Sequence, residues 1–360
     1  MDQRKSTTGQ KRPSTSQKKS APHKNNASKT KAFDTVNAKT PHQPSPKVRK
    51  RIVIAIFVVV ILILAALATL IIGQVWDKYN EMQNTPPINP DIIYIEKNAD
   101  AIKVGSLLII NEEFSYSFPT DFSDMVNLYQ YQRNDANKEY THINDCYTYS
   151  LTYDRIYLNQ TTLDALNSML LDYCKGLDLT DASKVSASNL EIAWGGYSAS
   201  TVSEYTEDVN LGKGFYDHAL GTTFTIKQNS PSTVLTENLL KSNFKWISEN
   251  AHKYGFIVRY PGSCKDHNGE DSSKRVHLRY IGIEHATYIY ENGICLDEYL
   301  GLLREGHGFD NPLSFTANGK NYQVYYVKYS GNPTQIPVLK DSNYSISGDN
   351  MNGFIVTVEK

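Results

Sequence analysis

Cysteine is scarce in this 360-residue chain: Cys146, Cys174, Cys264 and Cys295 are the full set, and no two form a CxxC pair. That spacing excludes a CxxC redox or metal motif, and four cysteines leave three pairings open. Acidic residues are nearly missing from the first 51 positions, where 14 Lys or Arg face only Asp2 and Asp34, a balance of +12. Charge of either sign is missing from Ile52 to Gly73 (IVIAIFVVVILILAALATLIIG). No internal repeat is evident, so nothing suggests a repeat array.

The whole-chain charge of −1 therefore averages two unlike parts. Removing the first 51 residues from the totals of 37 basic and 38 acidic side chains leaves 23 and 36, or −13. The first 50 residues are rich in Ser, Thr, Lys, Asn, Gln and Pro, a composition that buries too little apolar surface to offset the entropy of ordering. Disorder is expected there. Such a basic tail suits anionic lipid head groups beside a membrane, and no nucleic acid is expected as partner.

At ~1.5 Å per residue, Ile52–Gly73 matches a hydrocarbon core of ~30 Å. Lys47, Arg49, Lys50 and Arg51 precede it, and Trp76 and Tyr79 follow it. The positive-inside rule then puts the N-terminus in the cytoplasm and residues 74–360 outside a plasma membrane crossed once. Ala66-Leu67-Ala68 resembles a signal-peptide cleavage site, but the apolar run continues to Ile72, which favours an uncleaved signal-anchor. The organisation expected is a tail over 1–51, a transmembrane helix over 52–73, a stalk over 74–90 ending in Pro86, Pro87 and Pro90, a folded domain over 91–306, and a β-hairpin extension over 307–360.

Within the outer part, periodicity predicts strands at Val104–Ile110, Leu190–Trp194, Thr222–Ile226, Phe256–Tyr260 and His277–Ile283. Helices are predicted at Thr161–Cys174, capped by Thr161 or Thr162, at Asn243–Gly255 and at Leu296–Glu305. Asn318-Gly319 and Asn352-Gly353 between alternating segments signal two hairpins. His218, in FYDHALGTTFTI, and His277, in KRVHLRYIG, stand in patterned surroundings. Two histidines on facing elements suit zinc only with a third protein ligand.

The stretch FKWISENAHKYGFIVRYP (Phe244–Pro261), the segment HLRYIGIEHATYIYENGICLDEYL (His277–Leu300), the helix TLDALNSMLLDY and the run GSLLIINEEF occur in an order that resembles the VanY-like zinc D-alanyl-D-alanine carboxypeptidases. The resemblance covers about Ile88 to Gly306. It implies an α+β fold of the hedgehog/D,D-peptidase type, an antiparallel sheet with packed helices, and a cell-wall metallopeptidase chemistry. In that family two His and one Asp hold zinc, a Glu moves the water's proton, and an Arg pairs with the substrate carboxylate.

Carried over by motif, the family's SxHxxGxAxD places its His on His218 and its glycine on Gly221, but its Asp ligand on Thr225. ExxHxRY places its His on His277, with Arg279 and Tyr280 following, but its Glu on Lys274. SGYRS places its Arg on Ser198, beside Tyr197. The resemblance thus implies metal ligands His218 and His277, degenerate positions Thr225, Lys274 and Ser198, and a substrate-binding set of Tyr197, Ser198, Lys274 and Arg279. Asp and Glu would supply −2 beside zinc, whereas Thr and Lys supply +1. At ~5 Å and an effective dielectric of ~20 each unit charge beside a divalent ion is worth about 6 kcal/mol before relaxation, which opposes binding of the expected zinc. Cys264, His267, Glu204, Glu207 and Asp208 are candidate replacement ligands, and Lys274 a candidate anchor for a peptide carboxylate. The expectation is a pseudoenzyme that keeps the cleft and binds peptidoglycan stem peptide or a cell-wall partner. The alternative is an active zinc carboxypeptidase with replacement ligands.

Overall fold

The computed structural model describes residues 45–83, 91–117, 123–177, 190–196, 217–228, 239–241, 244–262, 264–265, 272 and 276–360. Residues 1–44 of the basic tail expected to be disordered lie outside these, as do Tyr197, Ser198, Glu204, Glu207, Asp208, His267 and Lys274, whereas Pro46–Arg51, also expected to be tail, are helical.

The chain divides into two compact units, Met1–Pro86 and Pro87–Lys360. The described part of the first is one helix, α1 (Pro46–Gln83), which continues past Gly73 into the stretch read as a stalk. Its Pro46–Asp77 portion is long and apolar enough to cross a membrane, and none of it is buried against protein. Side chains such as Phe57, Leu64 and Ile71 are exposed. An apolar stripe covering every side of a helix suits lipid better than water.

The second unit begins with β1 (Ile92–Lys97). The expected strand at Val104–Ile110 does not form. Leu107, Leu108, Ile109 and Ile110 are buried, but as extended coil whose amides reach Ser347 Oγ and the Asp349 carbonyl. Apolarity there reports burial, with backbone partners supplied by a distant turn instead of a ladder. Next come β2 (Met125–Asn127), α2 (Leu128–Gln132), α3 (Lys138–Thr141), the two-residue strands β3 (His142–Ile143), β4 (Cys146–Tyr147) and β5 (Ser150–Leu151), and β6 (Tyr157–Asn159). β6 runs directly into α4 (Gln160–Gly176), whose Leu163, Leu166, Met169, Leu170 and Tyr173 form its buried face. The cap is Asn159, whose side chain accepts from Thr162 N, and not Thr161 or Thr162.

The sheet that carries the site has strand order β5, β7 (Leu190–Trp194), β8 (Thr223–Gln228), β10 (Val276–Tyr280), β9 (Phe256–Val258). All neighbours are antiparallel except β5 and β7. A strand shows alternate residues to opposite faces. Phe224, Ile226, Val276, Leu278 and Phe256 pack into one core with α4 and with α5 (Lys245–Asn250). Thr223, Thr225, His277 and Arg279 consequently occupy the other face. The helix predicted over 243–255 is α5 followed by a 3₁₀ turn (Ala251–Tyr254), ended by Gly255 at φ +84°. A side chain at that position would press on the Tyr280 ring and the Gly282 backbone.

The segment expected to continue β10 to Ile283 turns instead at Gly282 (φ +95°) into α6 (Ile283–Asn292). It is followed by α7 (Leu296–Gly306), as predicted within a residue. These two helices share a second core with Ile257, Ile281, Val324 and Ile355. The C-terminal part forms the sheet β11 (Leu313–Ala317), β12 (Lys320–Lys328), β15 (Gly353–Glu359), β14 (Asn343–Gly348). Both predicted turns connect adjacent antiparallel strands of it. β13 (Thr334–Leu339) pairs with β1, joining the two ends of this unit.

Candidate functional site

Strand register assembles the site. His277 on β10 lies directly opposite Thr225 on β8. His218 sits in a 3₁₀ turn (Asp217–Leu220) just before β8. Gly221 then takes φ +65°, with the Met125 side chain where a Cβ would project, and returns the chain to the sheet. The spacing of seven residues and the turn bring His218 over Thr225. Thr225 Oγ1 lies 3.0 Å from His218 Nε2 and 3.1 Å from His277 Nδ1. The ring centroids are 5.5 Å apart, edge to face. One hydroxyl can donate to the bare nitrogen of one imidazole and accept from the N–H of the other, so the threonine bridges the two rings by hydrogen bonds. Burial pushes the His218 imidazole down to about 4, which keeps it uncharged at neutral pH.

Beneath this bridge lies a buried charge network that sequence reading missed. Asp217 Oδ2 accepts from Arg259 Nε at 2.8 Å and from Arg279 Nη1 at 2.6 Å. Arg259 also pairs with Asp297 in the first turn of α7, and Arg279 Nη2 donates to the Ser106 carbonyl. Burial alone would raise the Asp217 pKa, but the adjoining Arg279 and Arg259 charges outweigh it and hold the carboxyl below its usual range. Arg279 was expected at the substrate. Its guanidinium is fully buried and committed to Asp217 and Ser106. The signal available in sequence was the alternation of β10, which puts residue 279 on the face of His277 yet one pair further along.

Cys264 and Cys295 form a disulfide, which removes Cys264 as a replacement ligand. The bridge ties the segment after β9 to the start of α7, where Glu298 accepts from Cys295 N. Cys146 and Cys174 are not in disulfides.

Zinc requires at least three His, Cys or carboxylate donors converging within about 2.0–2.3 Å of one point. Among the described residues no Cys or carboxylate joins His218 and His277, and the one clustered donor set is Cys264, Cys295 and Glu298. Two of those three donors are consumed by the disulfide. At the third position beside the histidines stands a neutral hydroxyl. Asp217, the nearest carboxylate in sequence, is neutralised by arginine. The described donor set does not fit zinc.

The comparisons with known proteins agree with this topology. The family model "VanY: D-alanyl-D-alanine carboxypeptidase" matches residues 155–283, which include His218, Thr225 and His277. A D-alanyl-D-alanine carboxypeptidase of Enterococcus faecium is 30% identical over 256 residues, covering 71% of this chain and 75% of the relative. One from Enterococcus faecalis (strain ATCC 700802 / V583) is 36% identical over 105 residues, covering 29% of this chain and 37% of its own length. The fold is similar to that of the vancomycin-resistance D,D-dipeptidase VanXYg, solved with a D-Ala-D-Ala phosphinate analogue. The TM-score is 0.55 at 20% identity, over 75% of this chain and 99% of that one. A relative matched at this identity across three quarters of its length, on a shared fold, establishes that the chain belongs to the D-alanyl-D-alanine carboxypeptidase family.

Proposed function

We propose that this protein is a membrane-anchored, non-hydrolytic member of its family, which holds peptidoglycan stem peptides at the outer face of the plasma membrane. The observation that carries the reading is the hydroxyl of Thr225 seated between His218 and His277. It engages one nitrogen of each imidazole by a hydrogen bond and offers no charge to a divalent cation. The related proteins support the choice of ligand, since one neighbour is solved with a D-Ala-D-Ala phosphinate analogue. The apolar α1 supports anchoring. Lys274 is the residue assigned to the peptide carboxylate, because a lysine supplies the point charge an absent arginine would otherwise give.

The test uses the full chain in lipid nanodiscs. Zinc content is measured after dialysis against micromolar zinc, and binding of a stem pentapeptide ending in D-Ala-D-Ala is measured by calorimetry. Saturable peptide binding without stoichiometric zinc, weakened by Lys274→Ala, is the expected result. Stoichiometric zinc lost on His277→Ala overturns the reading and restores the metalloenzyme.

A further inference from the structure

Arg259 stands where the two halves of the histidine site meet. It follows β9 directly, and its amide donates to the His277 carbonyl at 2.9 Å. Its side chain is buried and runs towards His218. Nε donates at 2.8 Å to Oδ2 of Asp217, the first residue of the 3₁₀ turn that carries His218. The guanidinium carbon lies 4.7 Å from the centre of the Tyr260 ring. That ring meets the His277 ring edge to face, with centroids 5.7 Å apart. One side chain thus reaches His218 through Asp217 and His277 through Tyr260.

A third contact leads outward. Arg259 Nη1 donates to Asp297 Oδ2 in the first turn of α7, and the Asp297 side chain is 47% exposed. Cys295, two residues earlier, is disulfide-bonded to Cys264, so this end of α7 is anchored to the segment after β9. A planar guanidinium serves two carboxylates in fixed directions while lying on a ring. An ammonium has one charge centre and no flat face.

The Thr225 bridge makes the placement of the rings readable. Between two uncharged imidazoles the hydroxyl donates to one ring and accepts from the other. Its contacts are His218 Nε2 and His277 Nδ1. Donation to His218 leaves both rings protonated at Nδ1, and donation to His277 leaves both protonated at Nε2. The two rings therefore share one tautomer for as long as both reach the hydroxyl.

We propose that Arg259 is a positioning residue of this site, which fixes the spacing of His218 and His277 from the first turn of α7. Asp297 sets the direction of the guanidinium, and Asp217 and Tyr260 transmit it to the two imidazoles. The consequence for a bound peptide rests on the stem-peptide reading, whereas the consequence for the imidazoles does not.

The test is nitrogen NMR of the full chain in nanodiscs, isotopically labelled at histidine, at about pH 8.5, where an ordinary imidazole is uncharged. The two signals are assigned with His218→Gln and His277→Gln. In the parent both rings are expected to show the same single tautomer. Arg259→Lys, which keeps the charge, should leave both rings in mixed tautomers. Asp297→Ala, at a half-exposed position, should do so in smaller measure. Thermal melting confirms that each variant folds. The stem pentapeptide should bind Arg259→Lys several-fold more weakly than the parent. Parent tautomers retained in both folded variants overturn the proposal, as does a parent whose two rings differ. If Arg259→Lys does not fold, Asp297→Ala decides on the same criterion. A parent that binds no pentapeptide, with tautomers disturbed in the variants, contradicts the stem-peptide reading and leaves the positioning role standing.

Discussion

Thr225 is the residue on which the chemistry of the site turns. Its partner across the sheet is His277, and His218 closes from the preceding turn. A carboxylate in its place would point between two imidazoles and complete a three-donor set. Thr225→Asp is therefore expected to bind zinc stoichiometrically, measured by metal analysis after dialysis, while the parent does not. Equal zinc in both would mean that the ligands come from elsewhere. His285 makes a separate prediction. It is buried between Tyr299 Oη and Thr357 Oγ1, and burial lowers its pKa. The unfolded chain takes up a proton near pH 6.5 that the folded imidazole refuses. Its contribution is complete above that pH and is lost as pH falls through about 6.5 and below. The fall in thermal midpoint between about pH 7.5 and about pH 5.5 should be smaller in His285→Gln than in the parent. An unchanged slope would place His285 outside this linkage. The residue scale is also where sequence reading reached furthest and fell shortest. His218, Thr225 and His277 were legible through motif spacing. The Asp217–Arg259–Arg279 network was not, because it joins three segments whose proximity only the folded sheet creates.

At the scale of elements, the helices α4 and α7 were readable because their apolar faces recur at helical spacing and their ends carry stop signals. α6 was not. Its HATYIYEN run is aromatic and β-branched, so local preference favours a strand, and packing against β9 and the C-terminal sheet overrides it. The buried coil at 107–110 fails in the opposite sense, being apolar without a ladder. The junction of β6 and α4 gives a quantitative check. Asn159 caps α4 through its side chain, while its own amide donates to the Gly221 carbonyl beside the site. Asn159→Ala should cost about 1 kcal/mol in denaturant unfolding, and Asn159→Asp should retain most of the stability. An Ala variant as stable as the parent would deny the cap its role.

At the scale of the whole molecule, closure of the Pro87–Lys360 unit depends on contacts remote in sequence. β1 pairs with β13, and the Cys264–Cys295 disulfide closes a loop with a sequence separation of 31. Neither pairing was deducible from composition, since four cysteines permit three arrangements and strand partners are chosen by topology. Reduction should lower unfolding stability by about 3–4 kcal/mol on the chain-entropy account, read from denaturation with and without reductant. No change would mean that the bridge restrains nothing the fold does not already hold. The chain joins a helix long and apolar enough to cross a membrane to a unit of the D-alanyl-D-alanine carboxypeptidase family. The most direct measurement is D-alanine release from a stem pentapeptide by the full chain in nanodiscs with zinc supplied. The account predicts saturable binding and no release above the protein-free control. Steady turnover that disappears on His277→Ala would contradict it.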